Sequence, residues 1–173
     1  MAQDDPTTDW LPIPVPDVAQ YDPTSDNSER KEVLEEVAFR PAPMDPAGAS
    51  SCLVAGDPKL RALAAMALGQ LDARTAVGPL RRALEDSDWE VRLQAANALG
   101  RLKSREAWVD LKPLLSHPPP VVAAAAARAI GQGGAREAEP DLRELLEEGG
   151  ILRCAAARAL TDLGAEDGAL QAG

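Results

Sequence analysis

The sequence predicts an all-α protein, an α-solenoid built from about four helical hairpins. A unit that ends in Ala-Leu-Gly or a close variant places its final glycine at Gly69, Gly100 and Gly131, and the two intervals are equal. We call this interval the repeat period. Within each unit the apolar residues recur at the spacing of one helix face. Aromatic residues make up only 3% of the chain, so the expected core of Leu, Val, Ile and Ala suits close helix packing. Such self-similarity is typical of proteins that stack helical repeats.

Residues 1–27 are predicted to form an extended, proline-rich, acidic arm. Five prolines, at positions 6, 12, 14, 16 and 23, exclude a helix there. The alternating prolines favour a polyproline II conformation that presents four apolar side chains, Trp10, Leu11, Ile13 and Val15. The arm is either a tail with incidental apolar residues or an anchor that docks in a groove of this protein or of another. We favour the anchor, because disordered tails are poor in large apolar residues.

Residues 28–44 are predicted to form a short amphipathic helix followed by a linker. Ser28 or Asn27 can cap this helix, and Val33, Leu34 and Val37 form an apolar stripe along it. Prolines at positions 41 and 43 end it. Because so short a helix is only marginally stable alone, we expect it to pack on the first repeat or on a partner.

The repeats are predicted to occupy residues 45–173, with two helices, A and B, in each. The A helices carry leucine pairs that recur with the repeat period, Leu80 and Leu84, Leu111 and Leu115, and Leu142 and Leu146. An incomplete first A helix is expected to include Cys52 and Leu53. The fourth B helix aligns one residue early. The buried positions expected on the four B helices are Leu60, Ala64, Ala67, Leu68 and Leu71; Val91, Ala95, Ala98, Leu99 and Leu102; Val122, Ala126, Ala129, Ile130 and Gly133; and Leu152, Ala156, Ala159, Leu160 and Leu163.

Capping residues mark the start of the first two B helices. Asp57 followed by Pro58 places a capping side chain before a proline at the first helical position. Asp88 matches Asp57 one repeat period later, although Ser87 and Glu90 form a competing capping box that begins at the preceding residue.

The segment from Asp88 to Gly100, Asp-x-x-Val-Arg-x-x-Ala-Ala-x-Ala-Leu-Gly, resembles the short HEAT-like repeat of bacterial proteins, which is also found in phycobilin lyases. The resemblance implies an α-solenoid whose B helices line the concave side. It also implies that the Asp and Arg of each unit, Asp57 with Arg61 and Asp88 with Arg92, form a structural ladder that supports the turns. The motif is specific for this architecture but gives almost no information about function.

Two columns of non-core residues on the B helices are therefore the candidate contact surface for a partner. One column contains Met66, Asn97, Arg128 and Arg158, and the next contains Gln70, Arg101, Gln132 and Asp162. This ridge is polar and mildly basic, so an acidic segment of another protein, or the chain's own acidic arm, would suit it. It can also be a solvated face without a ligand. Trp89 and Trp108 near the turns are either partial core residues or interface anchors.

Composition and motifs argue against several other functions. The net charge of −10 makes nucleic-acid binding unlikely, and residues 1–56 contribute most of it. No apolar run is long enough for membrane insertion and no signal peptide is visible, so we expect a cytoplasmic protein. His117 is the only histidine and the cysteines number two, so neither a metal site nor a cofactor is expected. We expect no enzymatic activity, since no nucleophile motif is present and Glu144, Glu147 and Glu148 suit an exposed helix face.

The leading hypothesis is a non-catalytic protein-interaction or scaffold protein, an accessory subunit of a larger complex. On this hypothesis it binds one or more proteins through the concave face and the arm. The alternative is a cofactor-attachment accessory protein similar to the phycobilin lyases. Nucleic-acid binding by the arginine-bearing face ranks third.

Overall fold

A computed structural model describes residues 46–164, which form helices and connecting turns without a strand. The α-helices, numbered in chain order, are α1 (Pro46–Cys52), α2 (Pro58–Gln70), α3 (Val77–Ala83), α4 (Trp89–Arg101), α5 (Trp108–Leu111), α6 (Pro120–Gly133), α7 (Glu139–Glu148) and α8 (Gly150–Asp162). Within these residues no helix is long and apolar enough to cross a membrane. The arm over residues 1–27, with Trp10, Leu11, Ile13 and Val15, and the helix expected over 28–44 lie outside the described part.

The helices alternate between two rows, which confirms the prediction of four stacked hairpins. The A row consists of α1, α3, α5 and α7, and each of these packs on the B helix that follows it, α2, α4, α6 or α8. Successive B helices also pack closely on one another. The third A helix is irregular, because α5 continues as a 3₁₀ helix over Lys112–Ser116 that contains Pro113. Proline has no N–H to donate within an α-helix, so it favours this local tightening.

The core lies between the two rows and consists almost entirely of Leu, Val, Ile and Ala. Most positions predicted to be buried are at most 8% exposed. Leu71 and Leu152 are only partly buried, and they pack on the edge of the core. Gly133 is also only partly buried. On α7, Leu142 and Leu145 are buried, whereas Leu146, which recurs with the repeat period, is only partly buried.

The first two B helices begin as the sequence predicts. The Asp57 carboxylate accepts a hydrogen bond of 2.9 Å from the N–H of Lys59. The Asp88 carboxylate accepts bonds of 2.8 and 3.3 Å from the N–H groups of Glu90 and Val91, so Asp88 and not Ser87 is the cap. Each carboxylate satisfies backbone donors that the first helical turn leaves without partners.

Each B helix is followed by one residue of positive φ. After the first three B helices, a short turn leads to the next A helix. The residue of positive φ is Asp72 in the first unit, Lys103 in the second, and Gly134 and Gly164 in the last two. A 3₁₀ turn then leads to the next A helix, over Arg74–Ala76, Arg105–Ala107 and Arg136–Ala138. The final alanine of each turn is fully buried, so the turns are anchored in the core.

Glycines near the ends of three B helices set the spacing of that row. A Cβ atom added to Gly69 would lie 2.7 Å from the Cα of Ala98, and one added to Gly131 would lie 2.6 Å from the Cα of Ala159. Such distances are far below ordinary van der Waals contact, so the helix backbones approach each other as only glycine permits. The sequence places these glycines near the helix ends, but their structural role is close packing between neighbouring repeats.

We predict that Gly131→Ala destabilises the protein by about 1–2 kcal/mol, because the added methyl group overlaps the Ala159 backbone. Helix propensity alone favours Ala by about 1 kcal/mol. The steric overlap costs more than this, since overpacking typically costs about 1–3 kcal/mol. Urea unfolding followed by circular dichroism measures the difference.

Gly56→Ala is the matched control, because no atom lies within 4 Å of the added Cβ and its φ is not positive. Its unfolding free energy should change by less than about 0.5 kcal/mol. An increase in stability for Gly131→Ala would show that the B helices do not depend on this approach.

Candidate functional site

A groove runs along the B helices, with a volume of about 360 Å³, and α2, α4 and α6 form its walls. It brings together five of the eight residues in the two predicted contact columns. Its lining consists of Met66, Gln94, Asn97, Ala98, Arg101, Ala125, Arg128, Ala129 and Gln132.

The helical repeat explains why these side chains meet. Residues one repeat period apart, such as Met66 and Asn97, occupy equivalent places on successive B helices. Because Gly69 and Gly100 let these helices approach closely, equivalent side chains become neighbours across the row. The alanines form the floor of the groove, and the longer polar side chains rise around it.

The groove is cationic within an acidic chain. Arg101 and Arg128 are exposed, and Nη2 of Arg128 donates a long hydrogen bond of 3.4 Å to Oδ1 of Asn97. Among the described residues that line the groove there is no carboxylate. Low-dielectric walls around two guanidinium groups strengthen the attraction for an anion. The groove can therefore bind carboxylates through arginine and main-chain groups through its amides.

The side-chain amide of Gln132 lies over the backbone of the neighbouring helix. A Cβ atom on Gly100 would lie 2.4 Å from Oε1 of Gln132, so the missing side chain makes room for this amide. The same glycine therefore serves the packing of the B row and the shape of the groove.

Three residues of the predicted columns, Gln70, Arg158 and Asp162, are exposed but do not line the groove. They lie on α2 and α8 and continue the two columns by register. Gln94 and Ala125 line the groove but were not among the predicted contacts. A signal for them is present in the sequence, because together with Leu63 they form a third column with the same repeat period.

The ladder of turn-supporting arginines differs from the one implied by the family resemblance. Asp57 and Asp88 cap their own helices, and the carboxylate bound by Arg61 is that of Asp86 in the next unit. Nε and Nη2 of Arg61 donate to the two oxygens of Asp86 at 2.7 and 2.8 Å. Nη1 of Arg61 donates to the carbonyls of Ala55 and Gly56 at 2.9 and 3.1 Å. The arginine thus ties its own turn to that of the following repeat.

Electrostatics favour the ionised form of Asp86. Burial alone would raise its pKa. Hydrogen bonds from Arg61 and from the N–H of Asp88, together with the charges of Arg61 and Arg92, outweigh burial and hold the pKa below its ordinary value. The same hydrogen bond raises the pKa of Arg61.

A second set of ion pairs joins the A helices. Arg81 pairs with Asp110, and one repeat period later Lys112 pairs with Asp141 at 3.1 Å. These pairs are not among the sequence-based predictions, although the cations and the carboxylates both recur with the repeat period. They are partly exposed, so each contributes little to stability.

Of the remaining candidates for chemistry, three line one pocket of about 390 Å³, namely His117, Glu144 and Glu148. His117, Glu144, Glu147 and Glu148 are exposed. Cys52 is buried and Cys154 exposed, and neither is in a disulfide. No group of three or more His, Cys, Asp and Glu side chains within residues 46–164 is arranged to hold a metal ion. Trp108 packs against the core, whereas Trp89 is 46% exposed.

Comparison with known proteins identifies similar repeats. Residues 48–117 and 109–172 match the sequence profile of a family described as HEAT repeats. A comparison with curated proteins gives no match. A chain in the structure of the complex of CpcE and CpcF of phycocyanin lyase from Nostoc sp. PCC7120 is 28% identical, with a TM-score of 0.72 over 96% of this chain and 71% of that chain. An engineered protein, 22% identical with a TM-score of 0.65 over 82% of this chain and 76% of its own, shares the fold.

We predict that Asp86→Asn lowers the free energy of unfolding by about 1–3 kcal/mol at neutral pH, because it leaves the partly buried Arg61 without its carboxylate. Asp86 has a lower pKa in the folded protein than in the unfolded chain. Its contribution is therefore present above the unfolded pKa and is lost as the pH falls through the folded pKa. The difference between variant and wild type should shrink below about pH 4. Urea unfolding at several pH values measures it.

Asp162→Asn, at an exposed position, is the control and should change the unfolding free energy by less than about 0.5 kcal/mol at any pH. A difference for Asp86→Asn that does not vary with pH would contradict the role of the carboxylate charge.

Proposed function

The chain belongs to the HEAT-repeat family, and on that premise we propose that it is a non-catalytic accessory subunit that binds an acidic segment of a partner protein in the groove of the B helices. HEAT hairpins stacked in register present a long, shaped surface, and such surfaces serve repeat proteins in recognition.

The observation that carries this proposal is the charge of the groove. Arg101 and Arg128 face solvent together on a chain whose net charge is −10. Guanidinium groups bind carboxylates through paired hydrogen bonds, and each such pair adds geometric specificity. A groove of about 360 Å³ accommodates a few side chains, which suits a segment of a partner.

The similar structure supports an assembly of this kind. The protein that is 28% identical to this chain is part of a complex of two different proteins, CpcE and CpcF. We propose by analogy that the present chain also functions in association with a second protein.

A second candidate function is cofactor attachment, in which the chain is an accessory protein similar to a phycobilin lyase. The specific observation in its favour is the 28% identity over 96% of this chain to a chain of the phycocyanin lyase complex. Co-purification of a coloured tetrapyrrole with the chain and its partner would favour this function. If every copy of the chain is bound to its partner and the complex contains no tetrapyrrole, the first proposal is favoured.

We predict that Arg101→Glu together with Arg128→Glu weakens partner binding at least about tenfold, because reversing two charges replaces attraction by repulsion for an acidic segment. A photo-crosslinking residue in place of Asn97 should first capture the partner in the cells of origin. Mass spectrometry of the crosslinked peptide should then identify an acidic segment, and titration with that peptide measures the affinity.

The matched control is the double variant Lys59→Glu with Arg82→Glu, which makes the same charge change at exposed positions outside the groove. It should leave the affinity within about twofold of wild type. Equal weakening by both double variants would show only a general charge effect. Crosslinking to a basic or apolar segment would contradict the proposed ligand, and salt-sensitive retention of DNA would favour nucleic-acid binding.

We also propose that the arm adds a second contact through Trp10, Leu11, Ile13 and Val15. Replacing Trp10 and Ile13 by Ser should reduce recovery of the full partner several-fold, because the apolar side chains would no longer anchor the arm. The helical circular dichroism should stay unchanged. Equal recovery with and without the two substitutions would remove the arm from the interface.

A further inference from the structure

Arg61 and Arg92 lie one repeat period apart. Both donate hydrogen bonds to carbonyl groups of the turn before their helix, but only Arg61 also binds a carboxylate. Nη1 of Arg92 donates to the carbonyls of Asp86 and Ser87 at 2.7 and 3.0 Å. Nη1 of Arg61 makes the equivalent pair of bonds one unit earlier. The remaining edge of the guanidinium, Nε with Nη2, is the edge with which Arg61 binds the carboxylate of Asp86.

In the described structure, the corresponding edge of Arg92 has no carboxylate opposite it. The residue one repeat period after Asp86 is His117, which is exposed and cannot supply a carboxylate. Nε of Arg92 is buried and has no hydrogen-bond partner among the described residues. A buried donor without a partner carries the full cost of its desolvation, so a group that satisfies it would bind favourably.

Arg92 also lines a cavity of about 300 Å³. His117 lines it as well, together with the apolar side chains of Leu84, Val109, Pro113 and Leu114 and the carboxylates of Glu85, Asp86 and Asp110. Asp86 and Asp110 are already paired with Arg61 and Arg81. The guanidinium of Arg92 and the exposed Glu85 are thus the charges of this wall that have no ion-pair partner in the described structure.

We propose that this cavity binds a carboxylate group, which Nε and Nη2 of Arg92 hold in the bidentate arrangement that Arg61 makes with Asp86. The ligand supplies the acceptor that the third repeat lacks, and the apolar wall covers the short chain that bears it. The carboxylate comes from an Asp or Glu side chain or from the C-terminus of a partner chain. The two sources share this chemistry and differ in what is attached to it.

A carboxylate fits this site better than a phosphate. The planar fork of arginine matches both groups. However, Glu85, Asp86 and Asp110 also line the cavity, and they repel a dianion more strongly than a monoanion. The cavity shares no lining residue with the groove of the B helices, so the inference does not depend on the proposed function.

The direct test observes the Nε–H of Arg92 by ¹H–¹⁵N NMR of the full chain, assigned by its loss in Arg92→Lys. N-acetyl-aspartate N-methylamide represents a side-chain carboxylate, and N-acetyl-leucine represents a C-terminal one. We expect a saturable shift of the Arg92 signal with at least one probe, and the tighter probe identifies the source. The neutral amide of each probe should give no saturable shift, and neither should the signal of Arg74, which is exposed and outside the cavity.

Substitution of His117 supplies the second test. His117→Asp places a carboxylate where Arg61 has Asp86, so it should occupy Arg92 internally and compete with the probe. His117→Asn has the same size without the charge. The probe should bind His117→Asp at least about tenfold more weakly than His117→Asn, and His117→Asp should have the higher unfolding temperature.

Three results would overturn the proposal. The first is the absence of a saturable shift with both carboxylate probes. The second is equal probe affinity in His117→Asp and His117→Asn. The third is a stronger response to inorganic phosphate than to either carboxylate.

Discussion

The close approach of the B helices is the constraint from which both the stacking and the groove follow. Gly69, Gly100 and Gly131 each face the backbone of an alanine on the next helix, so no side chain separates the helices there. This approach holds the repeats in register. Register in turn brings side chains one repeat period apart into one groove. The shape of the candidate binding surface therefore follows from two of these three missing Cβ atoms, those of Gly69 and Gly100.

Polar pairs vary along the stack while the apolar packing is maintained. Arg61 has both its turn carbonyls and the carboxylate of Asp86, Arg92 has only the carbonyls, and the third unit has Ala123 in place of the arginine. The fourth unit regains an arginine, and Nε of Arg153 donates to the carbonyl of Leu146 at 2.8 Å. Burial of apolar surface dominates folding energetics, so a solenoid tolerates the loss of single polar pairs. Such a loss leaves binding capacity at the surface.

Family membership and binding chemistry answer different questions about this chain. HEAT repeats account for the stacking of hairpins, but a repeat fold by itself does not select a ligand. Selection lies in the side chains that face outward. In this chain these are two arginines among amides in the groove, and one arginine with an unsatisfied donor at the turns. The groove is cationic within an acidic protein, whereas the turn cavity places one arginine among three carboxylates, and we propose that each binds a carboxylate.

The amino-acid sequence alone is enough to predict the helical hairpins, most of the buried leucine and alanine positions, the cap at Asp57, and the columns that contain Met66, Asn97 and Arg128. These depend on local spacing and on a fixed period, and both can be read along one chain. Only the folded chain shows that Arg61 binds Asp86, that Gly131 lies against Ala159, and that Gln70 and Arg158 fall outside the groove. Those contacts depend on the distance and rotation between neighbouring repeats. The period of a repeat says which residues are equivalent, but packing between repeats decides which of them touch.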